Sequence, residues 1–162
     1  MKRILWSVGL ALAILAGGCG VYTLNPKGKS NIKTIGIESF ENQTGEFAFA
    51  DQLSELLTDA FIRDGSLKVV PSANADAVLI GVLTKYSRVP YQFDQSDQVT
   101  QYKIMLEFDI SLRNPRDQTD IWKEHMTPEG VYSVATETEA DGQTRASDQL
   151  VQSILNKTTK SW

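Results

Sequence analysis

Apolar residues recur at every second position between Tyr102 and Leu112. Tyr102, Ile104, Leu106, Phe108, Ile110 and Leu112 alternate with Lys103, Met105, Glu107, Asp109, Ser111 and Arg113. Period two sends successive side chains to opposite faces of a strand, so one face here meets a core and the other meets solvent. Upstream, Ala77 to Leu83 is a continuous apolar run of the kind found in strands covered on both faces, and it turns to alternation through Thr84 to Arg88. Pro90 to Asp94 is expected to be a loop. Asn114-Pro115-Arg116-Asp117-Gln118 carries turn chemistry, which makes Ile121 to Met126 the return strand of a hairpin. Gly130 to Val134 is a further β-like piece. Near the start, the β-branched content of Ile32 to Ile37 predicts a strand, Glu38 to Glu46 a turn, and Leu67 to Val70 a short strand closed by Pro71.

Two stretches switch to helical spacing. Phe49, Leu53, Leu56, Leu57, Ala60 and Phe61 lie on one stripe of a helix from about Phe47 to Arg63, and Asp64-Gly65 supplies its stop. Ala146, Leu150, Val151, Ile154 and Leu155 form a second stripe, on a helix from about Thr138 to near Lys160. Ser133 to Thr144 is polar and acidic, and Glu137, Glu139 and Asp141 suit the positive end of that helix. The pattern predicts an α+β two-layer sandwich: a mostly antiparallel four- to five-stranded sheet with both amphipathic helices on one face.

The first 18 residues have a different character. Lys2 and Arg3 precede an apolar run from Ile4 to Ala16, and small residues lead into Cys19, the only cysteine in the chain. The run is shorter than the ~20 residues a membrane-spanning helix needs. Its three regions are those of a secretory signal peptide. A cysteine directly after the small residues is the arrangement of a bacterial lipobox, although Ala16 stands where leucine is preferred. Lipidation would make Cys19 the first residue of the mature protein, and two or more acyl chains anchor stably. The expected organisation is a signal peptide over 1–18, a lipidated tether over 19–31 and a single α+β domain over 32–162. Without the leader the chain has 144 residues, with 14 basic and 20 acidic, a net charge of −6.

That balance argues against nucleic-acid binding, which needs clustered Lys and Arg. Catalytic groups are scarce. His125 is the only histidine, so a two-histidine zinc site is impossible, and lipidated Cys19 leaves no thiol to pair with it. Asp94-Gln95-Ser96-Asp97 resembles the opening of a calcium loop but lacks the glycine and late glutamate that complete one. No enzyme activity, cofactor or metal is expected.

The order of segments resembles one family. Cys19-Gly20-Val21-Tyr22, the strand Ile32 to Ile37 leading into Phe40-Glu41-Asn42-Gln43-Thr44, Ile62 to Leu67, Ala75 to Gly81, Tyr86 to Tyr91, Val99 to Lys103, Ile121-Trp122 and a last helix running to Trp162 follow the lipopolysaccharide-assembly lipoprotein family, LptE. The resemblance implies a noncatalytic outer-membrane lipoprotein on the periplasmic side that plugs a β-barrel of the lipopolysaccharide translocon and helps it assemble. It also implies contact with lipopolysaccharide, for which Lys85, Arg88 and Lys103 are the candidate ligands. The overall acidity favours a plug over a strong direct binder. A lipid-anchored subunit of another envelope complex is the alternative that the residues leave open, with an enzyme built on His125 behind it.

Overall fold

The computed structural model describes residues 32–45 and 47–160; the side chains of 47–51 and of Lys160 are outside that description. The expectations for Cys19, the leader, the tether, Phe49 and Trp162 fall outside the described residues. No helix among the described residues is long and apolar enough to cross a membrane.

In chain order the elements are β1 (Thr34–Ile37), β2 (Glu41–Asn42), α1 (Phe47–Asp64), β3 (Lys68–Val69), a one-turn 3-10 helix (Ser72–Asn74), β4 (Ala77–Phe93), β5 (Val99–Arg113), β6 (Asp120–Met126), β7 (Glu129–Ser133) and α2 (Glu139–Lys160). They form an α+β fold, as the residue pattern predicts. The sheet has seven strands in the order β3-β1-β4-β5-β6. The two-residue β2 lies along β4 beyond β1, and β7 lies along β5 beyond β6. The long β4–β5 hairpin and the β5–β6 and β5–β7 pairings are antiparallel, whereas β1–β3, β1–β4 and β2–β4 are parallel. Parallel neighbours need a crossover, and α1 supplies it between β1 and β3.

The period-two reading of β5 holds: Ile104, Leu106, Phe108, Ile110 and Leu112 are all fully buried. On them pack Leu53, Leu57 and Phe61 from α1 and Ala146, Leu150 and Ile154 from α2, in one cluster with Leu79 and Leu83 of β4. Both helices therefore share one face of the sheet. The double-sided burial expected of β4 is confined to its start, where Val78 is buried along with Ala77 and Leu79, while Ile80 and Val82 are half-buried.

Three local devices fix the ends. Gly65 takes φ of 69°, a left-handed conformation that costs glycine little, and its N–H donates to the Phe61 carbonyl to close α1. At the start of α2 the Asp141 carboxylate accepts both the backbone N–H and the hydroxyl of Thr138, each at 2.8 Å. Asp76 ties the approach to β4 onto β1 by accepting the N–H groups of Lys33 and Thr34, each at 3.0 Å, and the Thr34 hydroxyl at 2.9 Å. Those donors hold the Asp76 carboxyl below its ordinary range, the Lys33 N–H contributing most.

Three expectations are corrected. The sheet has seven strands where the pattern predicts four or five. Glu41–Asn42, expected within a turn, pairs with β4 as β2. Pro90 to Phe93 is strand, not loop: Pro90 pairs with Tyr102, Gln92 with Gln101 and Phe93 with Val99, with register shifts around Gln92. Beyond Leu83 no strand among the described residues flanks β4 on its β1/β2 side, so a residue without an N–H is tolerated there. The turn proper is Asp94 to Gln98, where the Asp94 carboxylate accepts the N–H groups of Ser96 and Gln98 and Asp97 has φ of 59°.

Candidate functional site

Past Leu83 the hairpin leaves β2 behind and runs on as an arm of three strands, β4, β5 and β7. From Pro90 to Gln98 every residue is exposed, including Tyr91 and Phe93, and Met105 and Val134 add exposed apolar surface. All three cations that the family resemblance nominates stand on this arm. They do not form one patch.

Lys85 pairs across the ladder with Glu107, its ammonium 2.9 Å from the carboxylate. Lys103 lies on the same outer face, opposite Val89, and bonds Glu129 at 2.8 Å with the Tyr91 ring 4.6 Å away. The Glu129 carboxylate raises the Lys103 pKa. Arg88 pairs with Ile104, a core position, and so faces the helices. Its guanidinium stacks 3.7 Å above the Tyr102 ring, donates to the Tyr132 hydroxyl at 2.5 Å and lies 3.5 Å from the Glu139 carboxylate. Hydrogen bonding to Tyr132 is the main reason its pKa rises. Each cation thus has a carboxylate beside it, and a lipid phosphate would have to displace or join that acid.

Around Arg88 the structure gathers residues that the sequence pattern does not single out. Tyr86 donates to Glu139 at 2.6 Å and accepts from Gln143 at 2.8 Å, while Tyr102 and Tyr132 stack with centroids 5.9 Å apart. Next to them Glu137 accepts the Ser133 N–H at 2.7 Å and pairs with Arg145, whose guanidinium is the first cause of the low Glu137 pKa. The polar segment 133–144 is therefore a clasp that seats the start of α2 on the arm. Strand parity could have indicated that Tyr86, Arg88, Tyr102 and Tyr132 share a face; nothing in the spacing announces Glu139 as their partner.

His125 is exposed on the outer face, 3.0 Å from Asp109 and 4.0 Å from Glu107. No group of three or more potential metal ligands occurs among the described residues, Asp94 and Asp97 included.

The fold defines a class first. The solved hypothetical protein CT253 from Chlamydia trachomatis is similar over 78% of this chain and 95% of its own, with a TM-score of 0.57 at 10% identity. The minor lipoprotein from Acinetobacter baumannii matches over 80% and 92%, with a TM-score of 0.52 at 15% identity. The PelC dodecamer from Paraburkholderia phytofirmans matches over 76% and 86%, with a TM-score of 0.54 at 14% identity. At such identities these likenesses show the shared α+β fold. A search of the curated proteins found no match. The family model described as LptE, lipopolysaccharide-assembly, matches residues 32–158, and the chain belongs to that family. Membership carries a role in lipopolysaccharide assembly, in association with the lipopolysaccharide transport machinery.

Proposed function

We propose that this protein is an outer-membrane lipoprotein, anchored through Cys19 on the periplasmic side, that fills and helps assemble a β-barrel partner inserting lipopolysaccharide. The observation that carries this reading is the family match, which spans nearly the whole described domain. The geometry is consistent with it. A single core holds both helices to one face of the sheet, and the arm is clasped to α2 where Arg88 and Tyr86 meet Glu139 and Glu137 meets Arg145. Such a rigid body suits a plug, which must hold its shape against a surrounding wall. Its function is packing and assembly, and no reaction is assigned to it.

Lys85, Arg88 and Lys103 fit a secondary role at lipid A phosphates, which would displace or join Glu107, Glu139 or Glu129. Depletion tests the reading. Lipopolysaccharide at the cell surface should fall as the protein is withdrawn, and the barrel should accumulate unassembled. Normal surface lipopolysaccharide in depleted cells would overturn it.

A further inference from the structure

The outer edge of the sheet is treated differently along its length. At β7 the edge is covered: Gln149 accepts the Glu129 N–H at 2.8 Å and Arg145 donates to the Val131 carbonyl at 2.6 Å. At β6, which continues the same edge, the backbone pairs with β5 on one side and finds no partner on the other among the described residues. A groove of about 260 Å³ opens there between β6 and α2, its walls including Glu124, Met126, Gln149, Leu150, Ser153 and Lys157.

We propose that the β6 edge and this groove bind an extended segment of another protein, added as a strand beside β6. An unpaired strand edge offers N–H and C=O groups at a two-residue repeat, which an extended backbone satisfies and a helix does not. The floor, Met126 and Leu150, is buried and apolar and takes an apolar side chain of the incoming strand. Across the groove Lys157 of α2 pairs with Glu124 of β6, a contact the incoming strand lies alongside; on the opposite face of β6, exposed Lys123 has no ion pair among the described residues and asks for an acid one position along. The buried indole N–H of Trp122, on the helix side, likewise has no acceptor among the described residues. The segment that fits is therefore strand-forming, apolar toward α2 and acidic toward Lys123. A second copy of β6 fits poorly: antiparallel pairing centred on Lys123 sets two lysines opposite each other. This inference stands apart from the barrel-plug reading, since it rests on the edge alone.

Hydrogen exchange on the full-length protein in mild detergent tests it. The probe is a nine-residue peptide of alternating valine and glutamate, compared with its lysine-for-glutamate analogue. The glutamate peptide should slow exchange of β6 amides about tenfold at saturation, and the analogue should bind about threefold more weakly. Ser153→Trp, which fills the groove from exposed α2 surface, should abolish the protection with an unchanged circular dichroism spectrum. No protection at millimolar peptide, or equal protection in Ser153→Trp, would overturn the proposal. So would β6 protection that rises with protein concentration in the absence of peptide, which would make a second copy the occupant.

Discussion

Replacing Gly130 by alanine should unseat α2 from the arm. Gly130 pairs with Ile104 and faces the helix, and a Cβ built there would lie 2.0 Å from the Gly142 carbonyl oxygen and 2.8 Å from the Ala146 nitrogen. Both are backbone atoms of α2, so no side chain can rotate away. The oxygen contact is about 1.4 Å short of ordinary van der Waals separation, and the helix must move by a comparable amount in an interior packed as tightly as a crystal. Overpacking of this kind costs about 1–3 kcal/mol, and the rigid obstacle puts this site near the upper end. Alanine recovers about 0.5–1 kcal/mol by restricting the unfolded chain. The expected net loss is about 2 kcal/mol, or a fall of about 5–10 °C in Tm for a domain of this size. Urea denaturation followed by circular dichroism measures it, with Gly45→Ala as the control, since nothing lies within 4 Å of a Cβ at that exposed position. Exchange of the Glu129 amide should accelerate as its bond to Gln149 is lost. A Gly130→Ala midpoint equal to that of the parent would refute the claim that helix and strand meet backbone to backbone.

Phe108→Ala removes a fully buried ring packed edge-on against Phe40 at 6.1 Å and should destabilise the domain by about 3–5 kcal/mol in urea titration; a loss under about 1.5 kcal/mol would contradict the assigned core. Asp76, Glu137 and Asp141 all have pKa values lowered in the folded state, by the Lys33 N–H, the Arg145 guanidinium and the Thr138 N–H respectively. Their contribution is complete above the unfolded carboxylate pKa and is lost as pH falls through the folded one, so urea midpoints should hold at neutral pH and drop below about pH 4. Asp76→Asn should make that acid drop shallower, and an unchanged slope would remove Asp76 from the account. Cys19→Ala should abolish incorporation of labelled palmitate and release the protein from the membrane fraction; a variant that stays membrane-bound would refute anchoring through Cys19.

Much of the fold was legible because burial imposes its period on the chain. The alternation from Tyr102 to Leu112 and the stripes through Leu53 to Phe61 and Ala146 to Leu155 each mark a face turned to the same core. Short elements give no such period: two-residue β2 goes unread inside a presumed turn, while β3 shows only through the β-rich run Leu67 to Val70 before Pro71. Pro90 read as loop because proline lacks an N–H, and only the position of β4 at the free side of the arm explains why it can remain in a strand. The parallel pairings of β1 follow from α1 crossing over between strands, which the element order permits without demanding. Of the candidate cations, sequence shows that Lys85 and Arg88, three apart in one strand, point to opposite faces. That Glu107, Glu139 and Glu129 stand beside Lys85, Arg88 and Lys103 depends on cross-strand register and on the clasp of α2, neither of which composition encodes.

The central claim is tested most directly by purifying the protein from membranes solubilised in mild detergent and identifying what remains bound in stoichiometric amount. A large outer-membrane β-barrel should co-purify and should be protected from proteolysis by the bound domain. Recovery of only peptidoglycan or inner-membrane partners would contradict the account.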